Sequence, residues 1–189
     1  RQDLMEKIRD NKPIYNPERW AQPQDRHLPD VSPREREAID RHNADIDRRV
    51  YGDFPLTIAR HPSETDERMM VRLLAFALHA DERLEFGRGL STEDEPDLVR
   101  RSLAGDIEQW IDVGLPDERE VRKACGRAGE VFVYAYGGRS CALWWEKAAP
   151  TLERQARLSV REVPQDASHA LAALAARTMT LQFTIQDGH

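Results

Sequence analysis

The sequence predicts a mixed α/β domain of the α+β kind, a mixed β-sheet flanked by helices, with an extended arm in front. Three stretches carry that expectation. Residues 94–114 read as a hairpin, two short strands around the turn chemistry of Ala104-Gly105-Asp106. Val131-Phe132-Val133-Tyr134-Ala135-Tyr136 is a continuous apolar run suited to a central strand covered on both faces. His61-Pro62-Ser63-Glu64-Thr65-Asp66 is the clearest helix start in the chain, with Ser63 as N-cap and acids where the helix dipole favours them.

Composition sets bounds before any motif is weighed. The chain has 189 residues, room for one domain with a real core and a segment left over. With 33% charged and 40% hydrophobic residues it is polar for a globular protein, but not a wholly disordered one. No apolar run approaches the roughly 20 residues that span a bilayer, and the first residues hold no apolar signal-peptide core. The chain begins at Arg1 rather than a methionine, as a fragment or processed form does. Cys125 and Cys141 are too few and too far apart for a zinc framework or a disulfide scaffold; they read as small buried hydrophobes in a reducing cytoplasm. The net charge of −6 counts against tight, global nucleic-acid binding, although Arg119, Arg122, Lys123 and Arg127 form a local basic cluster.

Residues 1–43 form the expected irregular N-terminal arm, punctuated by Pro13, Pro17, Pro23, Pro29 and Pro33. Ile14, Tyr15 and Trp20 are its candidate docking residues, and Glu35 to His42 reads as a short charged helix after Ser32-Pro33. Residues 44–189 form the expected domain. Arg49-Val50-Tyr51 and Pro55 to Ala59 are strand material around a Gly52-Asp53 bend. Met70, Leu73, Leu74, Ala77 and Leu78 place the first helix from Ser63 to about Ala80. Leu84-Glu85-Phe86 is a short strand. After the hairpin, Leu115-Pro116-Asp117-Glu118 opens a second helix with Val121, Ala124, Cys125 and Ala128 as its buried stripe and Gly129 as its stop. The central strand ends at Gly137-Gly138. A helix through Trp144-Trp145, a strand at 158–163, a helix at 167–178 and a strand at 181–185 complete the order.

The hairpin carries the chemistry. Asp97 follows Pro96 on one arm, and Glu108 begins the other, with ten residues between them. If both converge, two carboxylates with the Gln109 carbonyl can hold one hard cation, Mg²⁺ or Mn²⁺, that also takes water and substrate phosphate. Such a metal lowers the pKa of an attacking water for phosphodiester hydrolysis. Glu64 and Glu67 on the first helix are candidate extra acids, and Lys123 is the candidate cation for the developing charge. Each has a plainer use beside it. Glu64, Asp66 and Glu67 suit a first helical turn, Arg122, Lys123 and Arg127 suit the negative end of a helix dipole, and Asp112 before Gly114 suits a turn.

Pro96-Asp97 and Glu108-x-Trp110 resemble the Pro-Asp…(Asp/Glu)-x-Lys pattern of the restriction-endonuclease-like superfamily, PD-(D/E)xK, except that Trp110 stands where the lysine belongs. The order helix, three-stranded meander, crossover helix and buried strand is also that superfamily's core order. Longer blocks resemble the bacterial YaeQ family: residues 45–48, 56–70, Phe86-Gly87-Arg88-Gly89-Leu90-Ser91, Trp110-Ile111-Asp112, residues 122–127, Tyr136-Gly137-Gly138 and Ile185-Gln186-Asp187-Gly188. That resemblance implies a cytoplasmic protein with a restriction-endonuclease-like core and a family without an assigned activity. It leaves two functions open, a metal-dependent nuclease and a non-catalytic, transcription-related module that binds nucleic acid or protein. It also implies a first strand pairing with Arg49–Ala59, and residues 34–43 lack the alternation of such a strand. The expectation is that this strand is absent or replaced, baring a sheet edge for the arm or a second copy to cover.

Overall fold

The computed structural model describes residues 36–45, 50–87 and 95–186. Arg36–Asp45 is strand β1, and it corrects both expectations about this segment. The segment is not a helix, and the first strand is not missing. β1 pairs antiparallel with β2 (Val50–Ala59) over its whole length and parallel with β8 (Thr178–Ile185), so it is the middle of a three-stranded sheet ordered β2-β1-β8. Two ladders override a local composition rich in Arg, Asp and Glu, because strand preference is set by neighbours more than by the chain itself. The bare-edge hypothesis falls with it. β1 also runs across the 43/44 boundary drawn between arm and domain. Residues 1–35, with Ile14, Tyr15 and Trp20, lie outside the described residues.

The second sheet has five strands in the order β3 (Leu84–Phe86), β4 (Leu98–Arg101), β5 (Ile107–Val113), β6 (Ala128–Ala135) and β7 (Leu158–Glu162). β3, β4 and β5 are an antiparallel meander, and β5, β6 and β7 are parallel. Helix α1 (Asp66–Leu78) precedes β3, α2 (Glu118–Arg127) crosses from β5 to β6, α3 (Arg139–Leu152) joins β6 to β7, and α4 (Gln165–Ala172) precedes β8.

Two apolar cores separate along the pleat of this sheet. Leu98, Ile111, Val113 and Tyr134 face one side and pack with Met69, Met70, Leu73 and Phe76 of α1 and with Phe54, Leu56 and Ile58 of β2. Trp110, Val131 and Val133 face the other and pack with Val121 and Ala124 of α2 and Cys141 and Ala148 of α3. Helix α1 is buried nearly all round, as a core helix is. Both cysteines are buried and free, and burial pushes their thiols up.

Helix boundaries shift by a few residues from expectation. Thr65, not Ser63, caps α1, its side chain accepting from Arg68 N at 3.1 Å. Ser63 instead pairs with His61 Nδ1 at 2.6 Å. Asp117 and Glu120 form a reciprocal capping box on α2. Gly129 lies inside β6 rather than ending α2, and α4 is shorter than expected because β8 begins at Thr178. No helix among the described residues is long and apolar enough to cross a membrane.

Candidate functional site

The β4–β5 hairpin forms as expected, but its register separates the two acids chosen from the sequence. Leu98 pairs with Ile111 and Arg100 with Gln109, and a bulge shifts the register at Arg101. One step beyond Leu98, that ladder brings Asp97 level with Asp112. Glu108 lies four residues back along β5, about 13 Å away at the usual rise of a strand. There it accepts from Arg100 Nε at 3.1 Å and Arg83 NH1 at 3.2 Å, beside the hairpin turn. The next residue, Gln109, is buried, its amide donating to Glu130 at 2.9 Å, while Glu108 itself stays partly exposed. The expected ligand set of Asp97, Glu108 and Gln109 is therefore split between the two ends of the hairpin.

Asp97 instead belongs to a charged cluster at the N-terminal end of α1. Arg68 donates to Asp97 Oδ1 at 2.7 Å and Oδ2 at 2.9 Å, and its other nitrogen donates to Glu64 Oε1 at 2.8 Å. Arg72, fully buried one turn on, donates to both oxygens of Glu64 at 3.0 Å and stands 3.5 Å from Asp97. The backbone N–H of Val113 gives Asp97 a further bond at 2.8 Å, tying the start of β4 to the end of β5. The spacing 64, 68, 72 puts these groups on one line of the helix and its lead-in turn.

Glu64 thus joins Asp97 through arginine. Glu67 does not share their partners: it accepts from Ser168 Oγ at 2.6 Å and faces His169 at 3.8 Å, linking α1 to α4. Lys123 is exposed on the outer side of α2. Tyr136, just past β6, stands near Thr65, Arg68 and Glu67, and burial raises its phenol.

Asp112, expected from the sequence only to serve the turn before Gly114, is the acid that stands beside Asp97. Its carboxyl is pushed up to about 7, chiefly by burial and then by the negative charge of Asp97; the Trp110 indole N–H, at 2.9 Å, acts in the opposite sense. Counting outward from the Ala104-Gly105 turn would have found it, since a hairpin centred there pairs 97 with 112. Arg68 and Arg72 carried no such signal, because helical arginines are ordinarily solvated. Chemically, the cluster is a pair of buried carboxylates neutralised by guanidinium groups, with a third acid alongside.

The family model described as YaeQ protein matches residues 38–189. The chain is similar to "Uncharacterized protein YaeQ" of Salmonella typhi, 50% identical over 145 residues that cover 77% of this chain and 80% of that one. The protein of that name from Escherichia coli K12 is 49% identical over the same coverage. Among solved structures, the YaeQ protein from Xanthomonas axonopodis pv. citri superposes with a TM-score of 0.78 at 52% identity, covering 82% of this chain and 87% of that chain. The YaeQ protein from Pseudomonas syringae gives 0.79 at 38% identity, with coverages of 84% and 87%.

Proposed function

The chain belongs to the YaeQ family, and from that premise we propose that it is a non-catalytic binding module on a restriction-endonuclease-like fold. The order α1, β3-β4-β5 meander, crossover helix α2 and buried strand β6 supports the fold ancestry. One observation carries the loss of turnover: Arg68 and Arg72 hold the carboxylates that a nuclease of this kind would offer to a metal.

A hard cation needs carboxylate oxygens presented to it, with room for water and phosphate. Both oxygens of Asp97 and both of Glu64 are engaged by guanidinium groups, and Asp97 also accepts from Val113. Among the described residues no three His, Cys, Asp or Glu side chains converge as a ligand set. Mg²⁺ or Mn²⁺ does not fit this arrangement. Trp110 in the place of the motif lysine agrees, since an indole carries no positive charge and this one already donates its N–H to Asp112.

The hydrolytic reading keeps one specific observation in its favour. Asp112 stands beside Asp97, and like charges this close repel unless a proton or cation intervenes. Calorimetric titration with Mn²⁺, on the wild type and on Asp97→Asn, decides between the two. The binding-module reading expects no heat that depends on Asp97, and no cleavage of single- or double-stranded DNA or RNA in Mg²⁺ or Mn²⁺. Cleavage abolished by Asp97→Asn would overturn it.

A further inference from the structure

We propose that the outer face of α2 is a docking surface for the phosphate backbone of a nucleic acid. This rests on the binding-module reading and names its ligand class. At about 100° per residue, Arg122, Gly126, Arg119, Lys123 and Arg127 fall in that order across an arc of roughly 140°. All five are exposed, while Val121, Ala124 and Cys125 are buried on the opposite side. The solvent face of this helix is thus four cations around one glycine, in a chain whose net charge is −6.

Helix stability accounts for only part of the pattern: Arg127 suits the last turn of α2, where the dipole favours a cation. Arg119 lies in the first turn, where the dipole disfavours a cation. Arg119 with Lys123, and Lys123 with Arg127, are like charges four residues apart, an arrangement that weakens a helix. Glu118 stands four residues before Arg122 and Glu120 three before Lys123, and no acid stands three or four residues from Arg119. Among the described residues the side chains of Arg119 and Arg122 have no ion-pair partner.

Gly126 supplies a second, independent observation. It occupies the middle of the basic arc with ordinary helical backbone, and a Cβ there would meet nothing within 4 Å. Neither backbone conformation nor internal packing requires glycine, although glycine is among the poorest helix formers. A bare backbone flanked by guanidinium groups lets a strand of phosphates come close. Arg–phosphate pairing is bidentate and geometrically specific, and Arg119 and Lys123 sit about 6 Å apart along the axis, the scale of successive phosphates. Arg157, exposed and donating to Ala128 O at the helix end, extends the surface. Arg127 stands over the Trp110 ring at 5.3 Å, which holds it at the edge of the arc. With no aromatic group on the arc to stack a base, the contact is independent of sequence.

Fluorescence anisotropy of the full chain with labelled mixed-sequence oligonucleotides, single-stranded and duplex, through a salt series is the test. Duplex binding is expected to weaken with salt at a log–log slope of about −3, from three or four phosphate contacts. The Arg119→Gln/Arg122→Gln/Lys123→Gln variant is expected to bind at least about tenfold more weakly at low salt and to flatten that slope by two or more. Gly126→Glu separates docking from folding: it raises helix propensity, so its Tm should hold or rise while its oligonucleotide affinity falls. Absence of wild-type binding, variants with the wild-type affinity and slope, or competition by poly-glutamate equal to that by oligonucleotide would each overturn the proposal. Metal-dependent cleavage would instead overturn the binding-module reading and leave these slopes interpretable.

Discussion

Arg68 grips both carboxylate oxygens of Asp97, at 2.7 and 2.9 Å, bridging helix α1 to the first residue before β4. That fork also reaches Glu64, and through Glu64 it reaches the fully buried Arg72. The cluster holds two strands and a helix in one arrangement, so perturbing it tests structure and function together.

Arg72→Met leaves the Glu64 carboxylate buried with one guanidinium fewer. Breaking a buried pair from one side costs about 3–5 kcal/mol, and the loss should appear in denaturant unfolding. Adding Glu64→Leu should recover part of it, because two apolar side chains leave no uncompensated charge.

Asp112 makes stability depend on pH in a definite direction. Its carboxyl titrates at about 7 in the folded protein against an ordinary 3.8. Between those values the folded state binds the proton that the unfolded state has released, so its contribution favours folding at low pH and is lost as pH rises through the window. The difference in unfolding free energy between wild type and Asp112→Asn should fall across that range and level off above it. A difference that stays flat from acid to neutral pH would refute the raised pKa.

Gly87 lies against the backbone that positions Asp97. Its N–H donates to the Asp97 carbonyl at 2.8 Å, and a Cβ there would collide with the Pro96 carbonyl oxygen. Backbone cannot yield as a side-chain tip can, so Gly87→Ala should cost about 3 kcal/mol. Its unfolding midpoint should drop well below that of Gly126→Ala, where the backbone is ordinary helix and a Cβ meets nothing within 4 Å.

Ser168 is fully buried and donates to Glu67 at 2.6 Å, the polar link between α1 and α4. A hydrogen bond to a charged group is worth about 1.5–3 kcal/mol. Ser168→Ala should destabilise by that order in chemical denaturation and raise amide exchange in residues 165–172 before the central strands.

What could be read locally was read close to its mark. The periodicity of Met70 to Leu78, the proline and acids that open α2, and the apolar run of β6 each impose their own conformation, and the structure places helix, helix and strand there. Family membership was legible in the same way, from contiguous blocks. Residues 36–45 were not legible, because their strand exists through β2 on one side and β8 on the other, and β8 comes more than 130 residues later.

The site divides along the same line. Local pattern was enough to specify a hairpin with acids on both arms and, before it, a helix with acidic lead-in residues. Which acids meet, Asp97 with Asp112 and not Glu108, and the neutralisation of Asp97 and Glu64 by Arg68 and Arg72 came from the packed fold. Register is responsible: a bulge or a shift of one residue changes every partner across a ladder without altering the pattern of either strand. Which side chains a packed helix lowers onto that ladder is likewise settled by burial from several directions at once, and no local pattern encodes it.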